Sequence, residues 1–300
     1  MTLAAVHHPD YTFDLPARHP FPMAKFRILR HQLIEFDDRI QWHQPEMADR
    51  SALESAHTPA YLEALLTGGL DHAAQRRSGF PWSEALVRRV RLETGGTLLA
   101  ARLALTEGLA LNAAGGTHHA HADYASGYCL LNDLAVTTKT LLAEQRVRRV
   151  LIIDLDVHQG DGTARLLADE PNAVTLSVHA ARNFPARKAL GDEDIDLESG
   201  LTDTAYLEVL TDRIPPAIDR VQPDLVIYDA GVDVHTADRL GHLDLTDEGL
   251  YRRDRYVIDT VRSRGIPLAG VIGGGYDRDL EALCRRHRQL FVAALDAIGK

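Results

Sequence analysis

The segment LIIDLDVHQGDGT, residues 151–163, runs from apolar side chains directly into ionisable ones. Because side chains on a β-strand alternate between two faces, Asp154, Asp156 and His158 project from one face as long as the chain stays extended. Buried carboxylates are costly unless they are paired, hydrogen-bonded or bound to a metal, and this segment contains no Lys or Arg. The sequence therefore predicts a buried strand that ends in a site for a divalent cation.

Other short apolar runs alternate with amphipathic segments along the chain. The predicted strands lie at 109–113, 150–156, 173–178, 225–228 and 267–272, and the predicted helices at 24–36, 58–66, 83–107, 132–145, 203–220, 247–264 and 279–297. This order predicts an α/β fold in which helices cover both faces of a central parallel sheet. No linker rich in Pro, Gly or Ser divides the chain, so we expect a single catalytic domain over residues 1–300.

Polar segments follow four of the predicted strands. They are GGTHHAH (115–121), DLDVHQGDG (154–162), GVDVHTADRLG (231–241) and GGGYD (273–277). In open parallel sheets, ligands collect at the carboxyl ends of the strands, where such loops converge. We therefore expect the four segments to meet at one rim of the sheet.

Asp156, His158 and Asp233 form a candidate metal set of two carboxylates and one imidazole. Three protein ligands leave a coordination position open for water, as catalytic sites require. Oxygen ligands with one nitrogen suit zinc, iron(II) or manganese. An isolated DxH motif is a weak signal, because solvated strand ends are common, but the whole cluster with the HH pair and a later Asp is much more specific.

His118 and His119 can be read as metal ligands, general bases or surface histidines. Their place in a Gly-Gly loop, with aspartates available to orient the rings, favours acid/base work. Tyr276 can donate a hydrogen bond to a developing oxyanion, although GGGYD also fits a plain turn. His121 lacks such a setting and is predicted to be exposed. We likewise predict that the following histidines are exposed: His7, His8, His19, His31, His43 and His57.

Three acidic features fit ordinary structural roles. Asp229 and Asp238 equally fit the capping of loops, and the run GDEDIDLESG (191–200) is predicted to be a solvated loop.

Composition excludes several classes of protein. The 300 residues, 45% of them hydrophobic and 25% charged, are typical of a globular protein with a large core. A formal net charge of -10 and a pI near 5.8 argue against nucleic acid or an anionic membrane as a partner. No apolar run approaches the roughly 18 residues of a membrane span. Cys129 and Cys284 form no CxxC motif, so a reducing cytoplasm is the expected compartment.

Taken in order, the motifs resemble those of the zinc-dependent histone deacetylase superfamily, which has the arginase/deacetylase fold. The matching segments are HPFPMAKF (19–26), HTPAYLEAL (57–65), ETGGTLLAA (93–101), GGTHHAHADYASGYCLLND (115–133), LIIDLDVHQGDGT (151–163), LSVHAARNFP (176–185), YDAGVDVHTADRLGHLDLT (228–246) and GGGYD (273–277). The short chain, the HPFPMAKF opening and ETGGT are most similar to the class IV branch and its bacterial relatives.

This resemblance implies a role for each matching residue. The implied ligands of zinc, or of iron(II) in its place, are Asp156, His158 and Asp233. The implied catalytic residues are the tandem histidines His118 and His119, their hydrogen-bonded partners Asp154 and Asp161, and Tyr276, which polarises the substrate carbonyl. The implied inner potassium site takes Ser177 with backbone oxygens of Asp154, Asp156, His158 and Val178. The implied acyl-lysine tunnel is lined by Gly127, Tyr128, Phe184 and Leu240.

Two positions depart from the pattern of the superfamily. Thr117 stands where an aromatic residue often precedes the two histidines, and SGFPWSEAL (78–86) lacks the rim aspartate that holds a peptide backbone in class I relatives. The resemblance implies an amidohydrolase that removes acetyl or longer acyl groups from lysine side chains of proteins. The missing aspartate predicts little affinity for the flanking peptide.

Three alternatives stay open. The substrate can instead be a small acetyl-amide such as an acetylpolyamine. A binuclear manganese enzyme of the ureohydrolase type would need further bridging carboxylates and His119 as a ligand, so metal stoichiometry distinguishes it. A non-catalytic acyl-lysine reader would be expected to lack a ligand, a histidine or the tyrosine, and all of these are present.

Overall fold

Eight strands form one sheet in the computed structural model, which describes residues 2–299. They are β1 (Leu3–Val6), β2 (Ile40–His43), β3 (Leu109–Asn112), β4 (Val150–Asp154), β5 (Ala173–Ala180), β6 (Glu193–Leu197), β7 (Leu225–Asp229) and β8 (Leu268–Val271). Their order across the sheet is β2-β1-β3-β8-β7-β4-β5-β6. Each neighbouring pair is parallel, so the prediction of a parallel α/β sheet is confirmed.

Ten α-helices flank this sheet within the described residues. They are α1 (Lys25–Gln32), α2 (Arg50–Glu54), α3 (Pro59–Thr67), α4 (His72–Ser78), α5 (Glu84–Glu107), α6 (Asp133–Ala143), α7 (Asp161–Leu167), α8 (Asp203–Val221), α9 (Asp247–Arg262) and α10 (Leu280–Ile298). The side chains of Ser83, Asn132 and Asp279 accept hydrogen bonds from the first turns of α5, α6 and α10. Such caps satisfy free N–H groups and set where these helices begin.

Several elements were not predicted from the sequence. The prediction of a solvated loop over 191–200 is wrong, because β6 runs through it and pairs with β5. Its apolar residues Ile195 and Leu197 alternate with acidic ones, as expected of a half-buried edge strand. The strands β1 and β2 are four residues long, and the helices α2, α4 and α7 have five to seven residues. Elements of that length show too little periodicity to be recognised.

The register of the central strands brings their carboxyl ends level. Asp154 at the end of β4 pairs with Asp229 of β7, and Asp229 pairs with Val271 of β8. The strands β3, β4, β7 and β8 are buried throughout, since helices pack against the sheet. The loops that leave these four neighbouring strands carry the four polar segments, which therefore meet at one rim.

None of the helices within residues 2–299 is long and apolar enough to cross a bilayer.

Candidate active site

Three buried side chains converge just beyond the ends of β4 and β7. Donor atoms of Asp156, His158 and Asp233 lie within 4.8 Å of one another. His158 Nδ1 is 2.9 Å from Asp156 Oδ1 and 3.2 Å from Asp233 Oδ2. Asp233 Oδ2 is buried, and within the described part of the chain it accepts no hydrogen bond of good geometry. Two carboxylates and an imidazole that face one point are a donor set that fits a divalent cation.

Burial and mutual contact shift the pKa values of this cluster. Burial acts to lower the pKa of His158, but the contacts with Asp156 and Asp233 outweigh it and raise the pKa to about 10. Burial acts to raise the pKa of Asp156, but His118 and His158 hold it well below its usual range. Burial and the charge of Asp156 raise the pKa of Asp233. Metal ligands bind in their deprotonated form, so a cation at this point competes with the His158 proton.

Glycine backbone encloses the three donors. A Cβ atom at Gly274 would collide with the carboxylates of both Asp156 and Asp233, and one at Gly231 would collide with Asp156. Gly274 N donates a hydrogen bond to Asp156 Oδ2 over 2.9 Å. Val157 N donates to Asp233 Oδ1 over 2.9 Å. Backbone N–H groups therefore orient both carboxylates while the glycines leave them room.

His118 and His119 lie next to this cluster, and each ring is held by its own aspartate. His118 Nδ1 is 2.7 Å from Asp154 Oδ2, and His119 Nδ1 is 2.7 Å from Asp161 Oδ1. The two ring centroids are 4.1 Å apart. His118 Nε2 is 3.7 Å from Asp156 Oδ1. Because each Nδ1 is engaged by an aspartate, each Nε2 is the nitrogen left for chemistry.

The two rings differ in protonation. Burial acts to lower the pKa of His118, but Asp154 and Asp156 outweigh it and raise the pKa well above its ordinary value. Burial and the neighbouring His118 lower the pKa of His119 to about 3. The surroundings therefore favour the neutral form of His119 more strongly than that of His118.

A pocket of about 510 Å³ leads from the surface to these groups. Its lining includes the four residues of the predicted tunnel, Gly127, Tyr128, Phe184 and Leu240. It also includes five of the candidate catalytic and metal residues, His118, His119, Asp156, His158 and Tyr276. The Phe184 ring stands perpendicular to that of His119, with centroids 4.8 Å apart. The pocket thus joins an aromatic, apolar entrance to a polar, buried end.

Tyr276 presents a hydroxyl group to this pocket. Among residues 2–299 no hydrogen-bond partner of that hydroxyl is found, whereas Tyr276 N donates to Asp238 Oδ2 over 2.6 Å. Burial and the nearby carboxylates, Asp156 foremost, raise the pKa of Tyr276 well above its ordinary value. The hydroxyl therefore stays protonated and is available as a hydrogen-bond donor.

Residues 19–292 match the histone deacetylase domain family. The chain belongs to this family. The relatives of the histone deacetylase family that it resembles are hydrolases of acetylated substrates, and the family is typically metal-dependent.

Individual comparisons agree with membership of the histone deacetylase family. The chain is 49% identical over 299 residues to an uncharacterized protein of Picosynechococcus sp., covering 99% of each. It is 30% identical over 288 residues to the acetoin utilization protein AcuC of Staphylococcus aureus, covering 87% of this chain and 73% of that protein. It is 37% identical over 190 residues to histone deacetylase 2 of Arabidopsis thaliana, covering 62% and 49%.

A crystal structure of the HDA15 HD domain has the same fold as this histone deacetylase family member. The two chains superpose with a TM-score of 0.83 over 99% of this chain and 90% of the other, at 22% sequence identity. The predicted arginase/deacetylase-like architecture is thereby confirmed.

The prediction that His121 and His57 are exposed is wrong. His121 Nε2 is 3.1 Å from Asp161 Oδ2, so Asp161 contacts the imidazoles of both His119 and His121. His57 Nδ1 is 2.9 Å from His121 O, and Asn132 N donates to His57 Nε2 over 2.9 Å. The spacing of His119 and His121, two positions apart, was the sequence feature that could have indicated that both contact one aspartate. Of the other histidines predicted to be exposed, His31 is exposed, whereas His7, His8, His19 and His43 are half-buried.

Thr117 has a structural role that explains how the histidine loop tolerates a small residue there. Its hydroxyl lies 2.6 Å from Asp133 Oδ1 and 2.5 Å from Leu131 O. Asp133 Oδ1 also accepts from Thr117 N over 2.8 Å. Thr117 therefore anchors the loop that carries both histidines to the start of α6.

The residues of the implied potassium site lie side by side on neighbouring strands. Asp154 of β4 is the register partner of Ser177 of β5, and both side chains are buried, as is Val178. Ser177 Oγ is 2.9 Å from His179 Nδ1.

The two aspartates that fit a capping role differ in the structure. Asp238 caps its loop, because it accepts hydrogen bonds from the N–H groups of Leu240, Gly241 and Tyr276. Asp229 caps nothing in the described chain: it is fully buried and neither carboxylate oxygen has a hydrogen-bond partner. Burial and the charge of Asp154 raise the pKa of Asp229 well above its ordinary value.

A single buried guanidinium ties together the two loops that carry the metal set. Arg253 donates to Gly231 O over 2.6 Å, to Ala230 O over 3.1 Å and to Leu155 O over 3.4 Å. It also donates to Asp254 Oδ1 over 2.9 Å. The carbonyls belong to the exits of β4 and β7, next to the candidate metal ligands. No local sequence signal indicates this contact.

Arg253→Met is expected to lower the free energy of unfolding by about 3–5 kcal/mol, because it leaves a buried carboxylate and buried carbonyls without their cationic donor. Urea denaturation of the metal-free protein measures this change. Arg264→Met is the matched control, since Arg264 pairs with Asp219 on the surface and should change stability by less than about 1 kcal/mol. Equal stability of the two variants would contradict the role given to Arg253.

Proposed function

We propose that this protein is a metal-dependent deacylase that hydrolyses the side-chain amide of acyl-lysine in a protein substrate. The supporting observation is the convergence of three kinds of group in one pocket. A buried cluster of two carboxylates and an imidazole, two aspartate-held histidines and an unpartnered tyrosine hydroxyl all face the same space. We propose zinc as the resident cation, with iron(II) as its replacement, because the donor set suits both.

The residues divide the chemistry between them. When bound, a divalent cation supplies Lewis acidity toward the substrate carbonyl and lowers the pKa of water. His119, oriented by Asp161, accepts the proton of the attacking water and later gives it to the leaving amine. His118, held by Asp154, lies beside His119 and orients the attacking water. Tyr276 donates its hydroxyl proton in a hydrogen bond to the oxyanion of the tetrahedral intermediate.

The entrance of the pocket suits the methylene stem of lysine. Tyr128, Phe184 and Leu240 surround it with aromatic and aliphatic surface. Burial of apolar surface contributes roughly 0.8 kcal/mol per CH2 group. The stem therefore holds the amide at the buried end, and the acyl group continues inward beyond Tyr276.

The space beyond Tyr276 is small. A cavity of about 30 Å³ lies there, and its lining includes Phe21, Lys25, Cys129 and Tyr276. A space of that size leaves little room for additional methylene groups. The cavity therefore favours an acetyl group over a long acyl chain.

Acetyl-lysine is expected to exceed octanoyl-lysine in kcat/KM by about tenfold or more within the same peptide. Forcing additional methylene groups into a packed interior costs about 1–3 kcal/mol, and about 1.4 kcal/mol corresponds to tenfold in rate. Steady-state hydrolysis of a peptide series with graded acyl length measures the ratio. An octanoyl peptide that matches the acetyl peptide would contradict this account of the cavity.

Metal stoichiometry tests the mononuclear mechanism against a binuclear one. A second group of potential donors, His118, Asp154 and Asp229, lies nearby. However, Asp154 Oδ2 and His118 Nδ1 already engage each other at 2.7 Å. We therefore expect one equivalent of zinc per chain by elemental analysis, and hydrolysis of acetyl-lysine peptides that chelation removes and zinc or iron(II) restores. Two equivalents, or no turnover by the reloaded protein, would overturn the proposal.

A further inference from the structure

A second groove meets the entrance of the substrate pocket. It has a volume of about 600 Å³, and four arginines from three segments of the chain line it: Arg18, Arg27, Arg239 and Arg278. We call it the rim groove. Arg239 lines both the rim groove and the substrate pocket, so the two spaces adjoin at this residue.

The four arginines of the rim groove are exposed. Within residues 2–299, none of their guanidinium groups has a carboxylate oxygen within 4.0 Å. Several other exposed arginines, Arg76 and Arg213 among them, also lack such a partner within the described residues. The rim groove differs from them because it gathers four unpaired guanidinium groups around one space.

The acidic residues of the rim groove do not neutralise this charge. Asp277 is already paired with Arg286, at 2.7 Å. Asp14 is the other carboxylate in the lining, and it is exposed. The groove therefore presents an excess of guanidinium groups, which bind carboxylates through two parallel N–H···O hydrogen bonds.

The entrance of the substrate pocket has the same sign of charge. Its lining includes Arg77 and Arg239, and its one carboxylate within the described chain is Asp156, which is buried in the metal cluster. A substrate whose ammonium groups emerge at this entrance meets like charges and no acidic partner. An acetylpolyamine carries such groups, whereas an acidic peptide does not.

We propose that the rim groove binds the carboxylates of acidic residues that flank the acyl-lysine, so that the enzyme selects acidic peptide segments and discriminates against acetylpolyamines. This inference rests on the proposed deacylase function and names its substrate class. It replaces the sequence-based expectation of little flank recognition, because the groove supplies side-chain recognition in place of the missing rim aspartate. Arg27 and Arg278 lie away from the reacting groups and set this preference.

The test compares three acetyl-lysine peptides that differ in having Glu, Gln or Lys at the flanking positions, together with an acetylpolyamine. The kcat/KM of the Glu peptide is expected to exceed that of the Gln peptide by about three- to fivefold, because an exposed ion pair contributes up to about 1 kcal/mol. The Lys peptide and the acetylpolyamine should fall below the Gln peptide. The advantage of Glu should shrink with added salt, since exposed charges are screened.

The double variant Arg27→Gln/Arg278→Gln should reduce the Glu-over-Gln ratio to within about twofold. Arg264→Gln is the matched control, and it should leave that ratio unchanged. If the wild-type enzyme hydrolyses all three peptides equally, or prefers the acetylpolyamine, the proposed role of the rim groove is wrong. The proposed deacylase function would still stand.

Peptide-binding measurements distinguish failure of the rim-groove proposal from failure of the proposed deacylase function. Fluorescence anisotropy of labelled Glu and Gln peptides reports on the rim groove without any turnover. Tighter binding of the Glu peptide that the double variant removes supports the groove, even if no peptide is hydrolysed and the proposed function fails. Equal binding of both peptides overturns it.

Discussion

Asp233→Ala is expected to lose the bound metal and, with it, turnover. The substitution removes one of three donors, and the two that remain are too few for a stable catalytic site. Elemental analysis of the purified variant, together with hydrolysis of an acetyl-lysine peptide, measures both effects. Unchanged metal content would show that the ion binds elsewhere.

A companion variant distinguishes loss of a ligand from loss of structure. Asp233 Oδ1 accepts a hydrogen bond from Val157 N, and Asp233→Asn keeps an oxygen acceptor there at nearly the same volume. Asp233→Asn should therefore fold like the parent in circular dichroism and still bind metal much more weakly. If Asp233→Ala is unfolded, the metal content of Asp233→Asn tests whether Asp233 is a ligand.

Tyr276→Phe is expected to retain the metal and lose roughly 10²–10³-fold in kcat, the usual effect of removing one oxyanion donor. The tyrosine hydroxyl has no hydrogen-bond partner within the described residues, so phenylalanine leaves no buried group unpaired. Stability should thus stay within about 0.5 kcal/mol of the parent. Steady-state kinetics and urea denaturation measure the two quantities.

Tyr251→Phe is the control for the loss of a tyrosine hydroxyl. Its hydroxyl donates a hydrogen bond to Asp296 on the surface, and Tyr251 does not line the substrate pocket, so we expect the kcat of the parent. Full activity of Tyr276→Phe would remove this residue from the mechanism. An equal fall in metal content would point to a structural effect instead.

The central part of the fold could be predicted because its strands are buried on both faces. The segments 150–156 and 225–228 are continuous apolar runs bounded by polar loops, a pattern with few alternative interpretations. The edge strands could not be predicted, because β2 and β6 are only partly buried and each pairs with one neighbouring strand. In β6 the acidic residues conceal the alternation of Ile195 and Leu197.

The candidate site also has a part that the sequence predicts and a part that only the structure shows. The residues proposed for metal binding and catalysis stand in short motifs at the ends of strands, so the parallel topology alone predicts that they meet. Arg253 gives no such signal, since its partners are carbonyls of Leu155, Ala230 and Gly231 from distant parts of the chain. The rim groove likewise draws its arginines from segments that only the folded chain brings together.

The strand order of the sheet also has a consequence for biosynthesis. The strand β8 is the last along the chain, yet it lies between β3 and β7 near the middle of the sheet. Until it emerges from the ribosome, the strands on either side of it form two half-sheets whose open edges can pair with other chains. Tyr276 follows β8 directly, so closure of the sheet and completion of the active site are one late event. A nascent chain is thus inactive and prone to aggregation until this strand is inserted, and refolding should be slow because the pairing of residues 109 and 268 closes a very long loop.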